Sequence, residues 1–168
     1  MRSWMVMIGA VVFAWQAQAE PLSAVPDAKP VGTARLSKLV WDVYDATLYA
    51  PDGQWSDAQP FALSLHYLMA LDGQDIAERS VAEIRKQGFG DEVKLAAWYS
   101  QMKAIFPDVR KGSEITGIYQ PDAPTAFYLG SESLGQIRDP EFGRWFFNIW
   151  LGDNTSEPDI RKQLLGMR

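Results

Sequence analysis

The period of the apolar pattern changes along this chain in an order that leaves few folds open. Phe61, Leu63, Leu65, Tyr67 and Met69 alternate with Ala62, Ser64, His66 and Leu68, as in a strand with one buried face. Helical spacing follows. Ala77, Val81 and Ile84 make a stripe backed by Glu78, Arg79, Glu83, Arg85 and Lys86, and Leu95, Trp98, Tyr99, Met102 and Phe106 then make a second one. Strand character returns at residues 113–120 and 125–137, the latter folded as a hairpin around Gly130-Ser131. Phe142, Trp145, Phe146, Ile149 and Trp150 resume helical spacing, and Ile160, Leu164 and Leu165 suit a last short helix. Strands in a run, two helices, strands in a run and two helices lack the alternation of parallel β-α units. The expected class is therefore α+β, an antiparallel sheet with helices on one face.

Local signals set the element ends. Asp72 can cap the first helix, and Gly88 and Gly90 end it. The second helix starts near Asp91 and stops at Pro107. Asp139-Pro140-Glu141 joins a capping carboxylate, a first-turn proline and an acid facing the helix dipole, and Gly152 closes that segment. Ser156-Glu157-Pro158 opens the last helix. Upstream, residues 36–50 suit two strand segments with a bend between them, followed by a Pro51-Asp52-Gly53 turn. Residues 20–31 carry Pro21, Pro26 and Pro30 and are expected to form a leader rather than a helix or a central strand.

The first residues carry a different message. Arg2 precedes an apolar run from Trp4 to Trp15, and Gln16-Ala17-Gln18-Ala19-Glu20 follows, the charged, apolar, small-residue order of a signal peptide. The run is shorter than the roughly 20 residues of a membrane span. We therefore expect residues 1–19 to be a cleavable signal peptide cut after Ala19, residues 20–31 a leader and residues 32–168 the domain, acting in the periplasm or outside the cell. The chain has no cysteine, so it has no disulfide, thiolate metal site or cysteine nucleophile, and its stability rests on a packed core. Trp41, Trp55, Trp98, Trp145 and Trp150 supply bulk for one. The net charge is −5 without a basic cluster, which gives no electrostatic reason to bind nucleic acid or anionic lipid.

Catalytic signals are sparse. His66 is the single histidine and lies on the less apolar face of its strand; alone it makes a transition-metal site unexpected, and any Ser-His-Asp triad would have to be built on it. No nucleophile elbow, phosphate loop or dinucleotide fingerprint occurs. The pairs Glu132 with Asp139 and Asp72 with Asp75 have loop and helix-cap positions that suit capping or solubility. The Phe146 to Trp150 run suits core packing and can also line a cavity. Arg35 enters a strand beside Gly32-Thr33-Ala34. Two readings stay open for it, a surface ion pair or a guanidinium that meets an anion at a buried site.

Gly32-x-x-Arg35 followed by Val43-Tyr44-x-x-x-Leu48-Tyr49 resembles the early strands of the chalcone isomerase-like superfamily. Leu71 to Gln74 with Ile76 to Ser80 is similar to that family's strand-to-helix passage, and Asp139 to Phe142, Trp150 to Gly152 and Ser156 to Pro158 resemble its closing helices. The likeness spans residues 32–166 and is closest to a bacterial exported branch. It implies an open-faced β-sandwich, a large antiparallel sheet with helices packed on one face and a cleft between them. In plant chalcone isomerases an arginine steadies the attacking phenolate, and Arg35 matches it. The family's catalytic threonine falls on Tyr44, its tyrosine on Ile76 and its asparagine near Glu83. Isoleucine cannot donate a hydrogen bond to a developing enolate, which forfeits on the order of 3 kcal/mol of stabilisation.

Other branches of the superfamily bind fatty acids without catalysis. The resemblance thus implies a non-catalytic domain holding a fatty acid or other small amphiphilic acid in a cleft beside Arg35. Arg35 and Tyr44, with Tyr49, Tyr67 or Tyr99, are the expected ligand-binding residues. No metal and no cofactor is expected. The alternatives are a structural or protein-interaction module with a filled core, and a chalcone-type intramolecular lyase.

Overall fold

The structure, a computed structural model, describes residues 20–167; the expected signal peptide lies outside the described residues. Six strands form one antiparallel sheet in chain order, β1 Ala28–Lys38, β2 Trp41–Pro51, β3 Phe61–Tyr67, β4 Glu114–Tyr119, β5 Thr125–Leu129 and β6 Glu132–Ile137. The helices α1 Gly73–Lys86 and α2 Glu92–Ile105 interrupt the strand run between β3 and β4, which nevertheless pair with each other, Phe61 opposite Tyr119. The helices α3 Pro140–Leu151 and α4 Pro158–Leu164 close the chain. This is the α+β arrangement that the order of periods implies, and the open-faced sandwich that the family resemblance implies.

Cross-strand register sorts the side chains into two faces. One row runs Leu36, Tyr44, Tyr67 across β1 to β3. The next runs Ala34, Ala46, Leu65, Ile115, Leu129, and a third runs Gly32, Leu48, Leu63, Gly117, Phe127. These rows face the helices, and their buried members join Ala77, Ile84, Leu95, Trp98, Met102, Phe142, Phe147 and Leu164 in one core. The opposite face carries the row Arg35, Asp45, His66, Glu114. There a smaller cluster of Val25, Ala62 and Ile118, flanked by Leu22, Tyr49 and Tyr128, is covered by the single 3-10 turn Pro21–Ala24.

Three local expectations change. β1 begins at Ala28, inside the segment expected as a leader. Pro30 is tolerated because β1 is an edge strand and the register shifts between Pro30 and Gly32. The bend within residues 36–50 is a tight turn at Leu39-Val40, with Leu39 at φ 56°. Asp72 occupies the α1 N-cap without a side-chain hydrogen bond. Instead the Gly73 amide donates to Asp108 Oδ1 at 2.9 Å, so a residue beyond α2 satisfies the first turn.

The other two caps form as the sequence indicates. Asp91 accepts from the Lys94 amide at 3.0 Å. Asp139 accepts from the Glu141 amide at 3.0 Å, and its second oxygen accepts a hydrogen bond from Trp98 Nε1 at 3.0 Å, which ties α2 to the start of α3.

Candidate functional site

Between the helix-facing rows of the sheet and the helices lies a cavity of about 440 Å³. Its floor is the sheet, with Leu36, Tyr44, Leu63, Leu65, Tyr67 and Ile115. Its roof is α1, with Ile76, Arg79, Ser80 and Glu83, and α3, with Phe146, Phe147 and Trp150. The volume falls within the range of small-molecule sites, and the lining is mostly apolar with a few polar groups at one end, as in such sites generally.

Tyr44 and Tyr67 supply the polar groups on the floor. They are cross-strand neighbours in the row nearest the β1–β2 turn. Tyr67 is only 2% exposed, yet among the described residues nothing accepts or donates at its hydroxyl. Tyr44 Oη accepts from Trp150 Nε1 at 2.9 Å, which leaves the phenol's own proton without a protein acceptor among the described residues. Burial pushes the Tyr44 phenol up to about 12, partly countered by the Trp150 hydrogen bond, and burial raises Tyr67 further. Both phenols therefore keep their protons at neutral pH and can donate.

Charged groups ring the opening. Ser156 Oγ donates to Glu83 Oε2 at 2.5 Å, and Arg79 and Lys86 reach Glu83 Oε1 at 2.8 and 3.1 Å. Burial raises the Glu83 carboxyl, but the Ser156 and Lys86 hydrogen bonds and the charges of Arg79 and Lys86 outweigh it, holding it below the usual glutamate value. This ionised carboxylate fastens the loop after α3 to α1. Lys38 pairs with Glu157 and joins the β1 end to the α4 start. Asp75 completes the charged rim.

Of the five expected ligand-binding residues, the structure brings two together, Tyr44 and Tyr67. Arg35 is on the opposite face of β1. It makes a two-pronged pair with Asp45, Nε to Oδ1 at 2.7 Å and Nη2 to Oδ2 at 2.9 Å, and a third bond to Asp42 Oδ2 at 3.1 Å. Strand alternation is the reason: Leu36 faces the cavity, so its neighbour cannot. Tyr49 falls on that same outer face, packed in the smaller cluster with Val25 and Leu22. Tyr99 lies on α2 away from the cavity, its hydroxyl donating to Glu78 Oε1 at 3.3 Å. His66 is exposed on the outer face.

Sequence reasoning did not single out Trp150 and Arg79 as site residues. The aromatic run containing Trp150 signalled cavity lining, whereas Arg79 reads as one of many solvated helix charges and carries no local signal. Among the described residues no cluster of His, Cys, Asp or Glu is placed to hold a metal ion. No described helix is long and apolar enough to cross a membrane.

Comparison with known proteins adds three findings. Residues 30–166 match the profile of a family described as chalcone isomerase-like. No curated protein matches the chain. The crystal structure of a fatty-acid binding protein from Arabidopsis thaliana superposes with a TM-score of 0.63 at 13% sequence identity, over 84% of this chain and 89% of that one. At that identity the likeness establishes the fold.

Proposed function

The chain belongs to the chalcone isomerase-like family, and we propose that it is a non-catalytic binding domain for a small amphiphile such as a fatty acid. The observation that carries this reading is the Tyr44–Tyr67 pair. Two protonated phenols without a protein acceptor for their protons, at the floor of an otherwise apolar cavity, are matched by a ligand with an oxygen acceptor at one end and a hydrocarbon body. A carboxylate meets that requirement, because it accepts two charge-assisted hydrogen bonds at once. Arg79 lies at the rim on the same side as the phenols, its guanidinium paired with Glu83 at 2.8 Å. The structural likeness to a fatty-acid binding protein supports the same class of ligand.

A chalcone-type lyase is less well matched. Ile76 lines the cavity at the family's tyrosine position and offers no proton, and the matching arginine, Arg35, points to the other face. A filled-core module is also disfavoured, because the core encloses ligand-sized space.

The order of residues 1–20 supports assignment to an exported, bacterial branch of the family, with the domain working in the periplasm or outside the cell. N-terminal sequencing of the protein from a periplasmic fraction should begin at Glu20; retention of Met1 in the cytoplasm would overturn that assignment.

The binding reading is tested by native mass spectrometry of purified protein with organic extraction of what dissociates, repeated on Tyr44→Phe/Tyr67→Phe. A fatty acid or similar acid that accompanies the wild type and is lost from the double variant supports it. Empty, folded wild type that takes up no added palmitate or laurate overturns it.

A further inference from the structure

The β1–β2 turn is the most apolar exposed feature of the described chain. Leu39, Val40 and Trp41 are consecutive and 100%, 87% and 64% exposed. Leu39 also holds φ 56°, a left-handed conformation that tight hairpins usually give to Asn or Gly. The chain thus spends backbone strain to hold a leucine in water. Isolated exposed apolar side chains are ordinary, but three together on a projecting tip mark a contact surface.

The position of the tip identifies the contact. Leu36, Lys38 and Val43 of the same hairpin line the cavity, so the apolar tip is one lip of its opening. Charges beside it are paired in place, Arg35 with Asp45 and Asp42, which leaves one negative charge over, and Lys38 with Glu157. An uncompensated charge would resist transfer into a low-dielectric layer, and paired ones resist less. Trp41 adds an amphipathic ring of the kind that settles at headgroup depth.

We propose that the Leu39-Val40-Trp41 tip inserts into the interface of a lipid bilayer and seats the cavity opening on the membrane, so that an amphiphile passes between leaflet and cavity without crossing water. The proposal rests on the amphiphile-binding reading above. Three side chains on a narrow tip are too few for an ordinary protein interface, which takes about 800 Å² per partner. They suit shallow insertion of about 5–10 Å. Since the chain carries a net charge of −5, attachment is apolar, independent of salt and without preference for anionic lipid.

The test uses flotation with phosphatidylcholine vesicles and compares wild type with Leu39→Asn/Trp41→Gln, in which asparagine suits the left-handed position. Wild type floats at low and high salt, and the variant partitions at least about tenfold less, while both bind cis-parinaric acid in solution equally. The wild type also delivers cis-parinaric acid to vesicles at a rate that rises with vesicle concentration, and the variant does not. Equal flotation of the two proteins, or flotation only on anionic vesicles at low salt, overturns the proposal. So does tip-dependent dimerisation in sedimentation with no vesicle binding, which would assign the tip to a second copy. Failure of cis-parinaric acid to bind either protein sinks the cavity reading instead, and the flotation result then stands on its own.

Discussion

The rings of Tyr44 and Tyr67 meet edge to face across β2 and β3, with centroids 6.0 Å apart and planes at 76°, so two phenols reach the same wall of one cavity. Their hydroxyls differ in a way that mutation can separate.

Tyr67→Phe removes a hydroxyl that nothing described in the protein bonds. Its unfolding free energy should change by less than about 1 kcal/mol, while affinity for a fatty acid falls roughly 10- to 100-fold through the lost charge-assisted hydrogen bond. Tyr44→Phe should cost about 1–3 kcal/mol of stability as well, because Trp150 Nε1 loses its acceptor. Urea unfolding and titration calorimetry on both variants read the contrast.

Arg35→Ala should leave fatty-acid affinity unchanged. The guanidinium is bound to Asp45 and Asp42 on the face opposite the cavity. A large loss of affinity, in a variant whose melting temperature holds, would place the ligand on that outer face.

Glu83 sets a dependence on acid. Its carboxyl is held below the ordinary value of 4.5 in the folded protein, so its contribution to stability is complete above that pH and is lost as pH falls through the lower folded value. The loop around Ser156 should loosen in the same range, seen as faster amide exchange as pH falls below 4.5, after correction for the intrinsic rate. Glu83→Gln should remove that pH dependence while leaving the rest of the acid unfolding curve in place.

Gly32→Ala should detach α4. A Cβ at Gly32 would stand 2.2 Å from the Gln163 carbonyl oxygen and 2.6 Å from that of Leu164, which are backbone atoms and cannot swing aside. A loss of about 1–3 kcal/mol in urea unfolding is expected. An unchanged midpoint would mean that the α4 contact with β1 is loose.

Much of the fold was legible because it depends on short-range chemistry. The period-two run at β3, the helical stripes of α1 to α3, and the Asp91 and Asp139 caps each involve residues within a few positions of one another. Where the partner is distant, local reading failed. The Gly73 amide is satisfied by Asp108, thirty-five residues away, so Asp72 holds the N-cap position without making the side-chain bond of a cap. The Leu39 turn carries no glycine or asparagine and is set by the pairing of the two strands that flank it.

The candidate site divides in the same way. By itself, the sequence determined the order of strands and helices, the aromatic load and the shortage of catalytic groups, because periodicity and composition act locally. Only the tertiary structure decided which side of the sheet each strand residue faces. Arg35 and Leu36 are neighbours in the chain, and alternation guarantees that they part, but which of them meets the helices depends on cross-strand register and on where α1 and α3 settle. That long-range choice placed Tyr44 and Tyr67 inside and Arg35 and Tyr49 outside, since one face must bury against helices while the other can satisfy its charges in water.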